Sequence, residues 1–415
     1  MKPIRLTAIA LASLVLACTQ DPVGPPPRIM ALPRALTVQE QQLIQADNRL
    51  AIKLLKQASV DTRDSVPNLF VSPLSVAMAL TMTYNGAAGE TEAAMRSTLE
   101  LDSMSVDEVN AANQSLIALL RGLDPHVKFQ IANSIWYRLG FRVEQPFLDA
   151  NRTYFDARVD SLDFSDPGAA QTINNWVNAQ TNGLIPEIVP SPLPQNGVLM
   201  YLIDAMYFKG DWTQEFDKDL TAPRTFHLTD GSTVQVPTMT FGQDAAIRTA
   251  WTSQGRMIDL SYGGTAFSMT ILLPRENLNV DSLVANLTLD EWNSGVAALD
   301  TFVTEFYLPK FKLENNLTLN ATLSALGMGI AFSDFADFTR MTSGGGVKIS
   351  EVKHRTYVDV NEEGTEAAAV TSVSITPTSA PPVLEVDRPF IFALRENLSG
   401  TILFMGVIRQ PPAAP

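Results

Sequence analysis

The chain has 415 residues, 46% of them hydrophobic and 18% charged, which excludes a disordered or collagen-like polymer and implies a substantial core. Lys and Arg total 30 against 44 Asp and Glu, a net charge of −14; that field repels nucleic acid and makes a heparin-like polyanion a poor partner. The single cysteine, Cys18, excludes an internal disulfide framework and any multi-thiolate metal site.

At the N-terminus, Lys2 and Arg5 precede the uncharged stretch Leu6 to Ala17. It is too short to span a bilayer but fits the apolar region of an export signal. Cys18 follows the small Ala17 directly, which resembles a bacterial lipoprotein signal. That resemblance implies a signal peptide over residues 1–17 and lipid attachment at Cys18, and loss of Lys2 and Arg5 takes the charge to −16. Thr19 is not the Asp of an inner-membrane retention signal. The expectation is therefore an exported protein anchored in the outer membrane, on its periplasmic or cell-surface face. The alternative is an ordinary signal peptide that contains a cysteine. Residues 18–36, with Pro22, Pro25, Pro26, Pro27 and Pro33, read as an extended tether.

Residues 37–410 contain no second linker, repeat or low-complexity block and read as one domain, with 411–415 a short tail. The apolar spacing predicts an amphipathic helix over Gln39 to Gln57. Ser72-Pro73 predicts the cap and first turn of a second. Asp107 to Leu120 and Thr172 to Thr181, the latter stopped by Asn182-Gly183, predict two more. Strands are predicted over Lys128 to Arg138, Val198 to Phe208, Arg256 to Tyr262, Phe267 to Leu273, Phe302 to Leu308 and Ile402 to Ile408, all rich in β-branched and aromatic residues. Helices first and many strands later predict an α+β domain.

Little in the chain points to catalysis. It has three histidines, His126, His227 and His354, and lacks HExxH, paired-cysteine, GxSxG and GxxxxGK[ST] motifs, so no metal or cofactor is expected. Gly344-Gly345-Gly346 reads as a flexible turn. An enzyme is the weaker hypothesis.

Glu362 to Pro382 contradicts its surroundings. Its prolines, Pro377, Pro381 and Pro382, exclude a central strand and predict exposed loop. Yet the part before them alternates. Thr365, Ala367, Ala369, Thr371, Val373 and Ile375 form a wholly uncharged parity, and Glu366 carries the only charge of the other. A solvent loop has no need of an uncharged parity. Either this is a Ser/Thr/Ala/Pro linker before a last hairpin, or it is a loop able to become a strand, pivoting at Gly364.

Here the chain resembles the serpin family. Glu362-Glu363-Gly364-Thr365-Glu366-Ala367-Ala368-Ala369 is similar to the hinge of inhibitory serpins, and Leu384 to Leu394 (LEVDRPFIFAL) to the signature after their reactive loop. Asn68 to Ser75 (NLFVSPLS), Tyr207 to Trp212 (YFKGDW), Leu308-Pro309-Lys310 and Ala336-Asp337-Phe338 follow the family order. The resemblance implies a single domain of about nine helices and three β-sheets, an exposed reactive-centre loop over about 362–382, and no catalytic residues. It also implies a monomer whose partner is a target serine protease, held as a covalent acyl-enzyme. Counting from Gly364 and back from Pro389-Phe390 puts the reactive bond at Thr378-Ser379. With no Lys, Arg, Phe, Tyr, Trp, Leu or Met between Gly364 and Val383, the bait suits an elastase-like or subtilisin-like enzyme.

Two supporting sites follow from the resemblance. Ser72, Ser75, Asp204 and His354 match the shutter beneath the opening strands, where the family usually has Asn in place of Asp204. The expectation is a carboxylate where an amide would hydrogen-bond His354, and a pH-dependent shutter. Trp212, Lys310 and Glu362 match the breach where the loop enters, with a Lys310–Glu362 ion pair expected. The competing readings are a non-inhibitory serpin acting as carrier or chaperone, which the small hinge disfavours, and a surface-binding lipoprotein that uses the fold.

Overall fold

The computed structural model describes residues 26–194, 197–365 and 382–411. The signal segment, Cys18, hinge residues Glu366, Ala367, Ala368 and Ala369, and the Thr378-Ser379 bond lie outside them. Among the described residues the fold is α+β, with nine α-helices and three sheets.

Helices α1 (Val38–Asp61), α2 (Pro73–Tyr84), α3 (Gly89–Thr98), α4 (Val106–Leu120), α5 (Gln145–Phe155) and α6 (Ala169–Gln180) dominate the first half, and α7 (Val280–Asn286), α8 (Leu289–Ala297) and α9 (Asn320–Leu323) follow. Local chemistry sets their starts. Thr37 and Glu40 form a reciprocal capping box on α1, Ser105 and Glu108 do the same on α4, and Ser72 caps α2 with Pro73 in its first turn.

The strands are β1 (Leu69–Val71), β2 (Val127–Arg138), β3 (Arg158–Leu162), β4 (Met200–Asp211), β5 (Ala222–His227), β6 (Thr233–Thr240), β7 (Ala245–Trp251), β8 (Gly255–Tyr262), β9 (Phe267–Pro274), β10 (Asp300–Pro309), β11 (Phe311–Thr318), β12 (Lys353–Val360), β13 (Gly364–Thr365), β14 (Val383–Glu385), β15 (Phe390–Glu396) and β16 (Ile402–Ile408). A ten-stranded sheet runs β1-β16-β15-β9-β8-β7-β10-β6-β5, with β14 added in parallel to β10. Its central strands β9, β15 and β16 are buried along their whole length and are mostly apolar. The charges they carry inward are compensated: Arg395 pairs with Asp259 at 3.0 Å and donates to Thr270 at 2.7 Å.

The other sheets, β13-β4-β2-β3 and β11-β12, position the site. Phe129, Ile131, Met206 and Phe208 of β2 and β4 face the main core. On the opposite face Trp136, Ile203 and Ala205 pack against Ile173 and Val177 of α6 in a second, smaller core. Thus α6 lies across β2 and β4.

The predicted tether needs a correction. Its last part, residues 26–36, lies on the domain: the Ile29 N–H donates to Gly264 O at 2.7 Å, and Ile29 and Leu36 pack against the main core. Ile29 and Leu36 supply apolar anchors among the prolines, and proline content alone does not reveal where such anchors dock. Helices α3, α5, α7, α8 and α9 were not predicted; α3 opens on Gly89 without a side-chain cap, and α5 opens on Gln145-Pro146.

Candidate functional site: a gap between two sheet edges

Strand β4 pairs with β2 over Val127 to Tyr137, but on its other edge it meets only the two residues of β13. Strand β12 pairs with β11 alone. Among the described residues no ladder joins β4 to β12, so two strand edges face each other across a gap. Such an edge is a template for one more strand.

At one end of the gap β13 has begun to fill it. Gly364 stands opposite Asp211 and Thr365 opposite Gly210, antiparallel. Glycine is required there. Its φ is +149°, and a Cβ would meet Gly210 O at 2.3 Å and the Asp211 Cα at 2.7 Å. Trp212, buried and stacked on Tyr262 with centroids 4.3 Å apart, is tied to the hinge twice. Its backbone N–H donates to Glu363 O at 2.9 Å and its Nε1 to Asn361 O at 2.9 Å. The buried Glu362 carboxylate accepts from Lys310 Nζ at 2.7 Å and from the Thr221 hydroxyl at 2.8 Å. Burial raises the Glu362 carboxyl, but Lys310, the backbone and Thr221 together outweigh it and leave the group below its ordinary range. Lys218 pairs with Glu363. Trp212, Lys310 and Glu362 are thus one cluster, and the expected ion pair is present. Thr221 and Lys218 carried no sequence signal.

The far end of the gap is built differently. The Ser72 hydroxyl donates to Leu403 O at 2.9 Å and caps Ser75 N–H at 3.3 Å, while the Ser72 N–H donates to His354 Nε2 at 2.9 Å. Ser75 Oγ approaches the backbone oxygen of Asp204 at 3.5 Å. The buried His354 is held down to about 4 by desolvation. Asp204 departs from expectation. Its carboxylate makes no hydrogen bond to His354, because the two residues sit on β4 and β12 across the unjoined gap, and Ser72 takes the imidazole acceptor. Both Asp204 oxygens are buried without a hydrogen-bond partner. Burial pushes the carboxyl up to about 7, against the smaller pull of Ser75 and Arg121. Directly across the β2–β4 ladder, Asn133 leaves its Oδ1 unpartnered as well. Asp204 and His354 both line a cavity of about 330 Å³ between β4 and β12, together with Ser72, Ser75 and Met206.

On the C-terminal side of the loop, β14 is pinned. Pro382 O accepts from Glu305 N–H at 3.2 Å and from the Thr304 hydroxyl at 2.6 Å. Arg224 grips Glu385 through two bonds of 2.6 and 3.1 Å and lies 3.8 Å over the Tyr307 ring. Both ends of the 366–381 segment are therefore fixed to the domain.

A gap of this kind beside a small-residue hinge, with the strand after the loop held in place, is matched by the comparisons. A family model described as serpin (serine protease inhibitor) covers residues 45–411. The chain belongs to the serpin family. It is 34% identical over 379 residues to Iripin-8 of Ixodes ricinus, covering 88% of this chain and 93% of that protein. It is 33% identical over 383 residues to the human leukocyte elastase inhibitor, covering 89% and 100%. Among solved structures, the native state of the thermophilic serpin tengpin superposes with a TM-score of 0.80 at 29% identity, covering 93% of this chain and 97% of that one. A thyroxine-binding globulin complex with thyroxine gives 0.79 at 28%, covering 89% and 99%. Serpins are protease inhibitors rather than enzymes, although some members do not inhibit.

Proposed function

We propose that this serpin is a suicide-substrate inhibitor of an elastase-like or subtilisin-like serine protease, cut at Thr378-Ser379. The observation that carries the reading is the unjoined β4–β12 gap with β13 begun at its head. The protease serine attacks the Thr378 carbonyl, the Thr378–Ser379 amide bond breaks, the Ser379 amine leaves with a proton, and an acyl ester remains. Release from Ser379 frees the loop to extend β13 down the gap with the protease attached.

Extending the register from Gly364↔Asp211 by one residue per step would set Ala367 opposite Phe208, Ala369 opposite Met206 and Thr371 opposite Asp204. Residues directly opposed across an antiparallel pair point to the same face. The uncharged parity would therefore turn toward the main core, where Met206 and Phe208 already lie. Glu366 would turn to the other face. The Thr371 hydroxyl would become a donor for the Asp204 carboxylate. Ladder bonds at ~0.5–1.5 kcal/mol each over Gly364 to Thr376 sum to about 10 kcal/mol, enough to make insertion strongly downhill.

The relative named as an elastase inhibitor and the absence of Lys, Arg, aromatic residues, Leu and Met from the bait support the target class. We also propose that residues 1–17 are removed and Cys18 is lipidated, which places the domain at the outer membrane.

The test is incubation with pancreatic elastase and with subtilisin, followed by denaturing electrophoresis and mass spectrometry. The expected product is a denaturant-resistant complex joined through Thr378. Clean cleavage without complex overturns the inhibitor reading. A carrier role is the second reading, favoured by the 330 Å³ cavity and the likeness to thyroxine-binding globulin.

A further inference from the structure

Resting on the lipid anchor at Cys18, a second conclusion concerns how the domain sits on its membrane. Residues 27–29 of the N-terminal segment dock against Gly264. Besides the Ile29–Gly264 hydrogen bond, the Pro27 carbonyl lies so close that a Cβ on Gly264 would meet it at 2.6 Å. The Gly264 N–H in turn donates to Asp124 Oδ2 at 2.8 Å, and the other oxygen of Asp124 accepts from the His126 N–H at 2.9 Å. Arg28 and Met30 flank Ile29, and Lys128 follows His126 at the start of β2. Four side chains are thereby gathered around one docking point: Arg28, Met30, His126 and Lys128.

Their character is unusual for this chain. Arg28, His126 and Lys128 are exposed in a protein of net charge −14. Lys128 stands directly opposite Lys209 in the β2–β4 ladder. Lys209, His126 and Lys128 all act electrostatically on the carboxyl of Asp211, whose affinity for its proton is raised chiefly by burial. Met30 is 76% exposed.

Chain length then fixes which way this patch faces. From Cys18 to Ile29 is eleven residues, a span of at most about 40 Å when fully extended. A compact chain of this size is about 55 Å across. A lipid at Cys18 therefore cannot reach the membrane with the domain turned the other way round. We propose that the docking end of the domain lies against anionic phospholipid, with Arg28, His126 and Lys128 among the headgroup phosphates and Met30 in the interface.

The head of the gap is at the same end. The Gly263 N–H donates to Asp211 O at 2.8 Å, and Asp211 is the partner of Gly364. A membrane-facing patch there holds the head of the gap near the lipid surface.

The test uses the lipidated protein in vesicles with and without phosphatidylglycerol. With Cys18 acylated, Gln130→Cys places one thiol two residues from Lys128 on the same strand, and Phe335→Cys places one on a side chain that is 85% exposed, three residues before Phe338, which lines the cavity at the far end of the gap. Each is labelled with a fluorophore, and quenching by headgroup nitroxide lipid is measured. The expected result is several-fold stronger quenching at 130 than at 335 in anionic vesicles, reduced to the 335 level by Arg28→Glu with Lys128→Glu or by high salt. Equal quenching at the two positions, or quenching at 130 indifferent to charge reversal, overturns the proposal. Failure of the protein to float with vesicles overturns the anchor itself and is seen separately. Unchanged complex formation with elastase checks that the charge-reversed variant is folded.

Discussion

The two ends of the β4–β12 gap are built on opposite principles. At the head both hinge carboxylates have partners: Glu362 is held by Lys310 and Thr221, Glu363 by Lys218, and Trp212 bonds the hinge backbone. At the far end a buried carboxylate has none, and the imidazole across the gap is held neutral. Satisfied buried polar groups rigidify, whereas an unpaired one raises the free energy of the state that contains it. The head is thus set to hold two residues of strand in register. The far end is set to favour whatever fills the gap and satisfies Asp204.

The largest expected effect breaks the head. Gly364→Val puts a Cβ within 2.3 Å of the Gly210 carbonyl at a φ of +149°, so β13 cannot hold its register. Incubation with elastase should then give cleaved protein in place of covalent complex, read on a denaturing gel.

Next comes the far end, through pH. Asp204 sits at about 7 in the native fold against an ordinary 3.8, so the native state holds a proton that the unfolded chain releases between those values. Its contribution is fully favourable below pH 3.8, is lost as pH rises to about 7, and is flat above. At ~1.4 kcal/mol per unit the loss amounts to a few kcal/mol. Asp204→Asn should therefore match the parent at pH 4 and melt at a clearly higher temperature at pH 8. His354, held near 4, contributes the opposite slope between 4 and 6.5 in both proteins and cancels in the comparison. A constant difference across that range would remove the contrast between the two ends.

The smallest effect sharpens the head. Lys310→Met leaves Glu362 buried with Thr221 as its remaining side-chain partner, a loss of about 1–2 kcal/mol. The double variant with Glu362→Gln should recover part of it, since no charge then lies buried. Thermal melts of the four proteins measure the coupling.

How much was legible varied by element. Ser72-Pro73 announced α2, and the β-branched runs announced β2, β4, β8, β9, β10 and β16 to within three residues. The hinge glycine was legible as a pivot. Two features were not. Residues 26–36 read as a free tether because proline content reports stiffness, while docking depends on Gly264, far away in the chain. The Asp204–His354 contact was expected because a motif match places residues near a site without saying whether the strands that carry them are joined. The cavity and the grip of Thr221 on Glu362 had no local signal either.

What the order of residues determined by itself was periodicity, caps, charge balance and the uncharged alternation from Thr365 to Ile375, since each depends on neighbours a few positions apart. Tertiary structure alone decided that β4 and β12 stand unjoined, that Asp204 is left without a partner, and that the N-terminal segment lies beside the point where the loop begins its strand. Those facts depend on long-range placement of strand edges and on burial, which local preferences cannot encode.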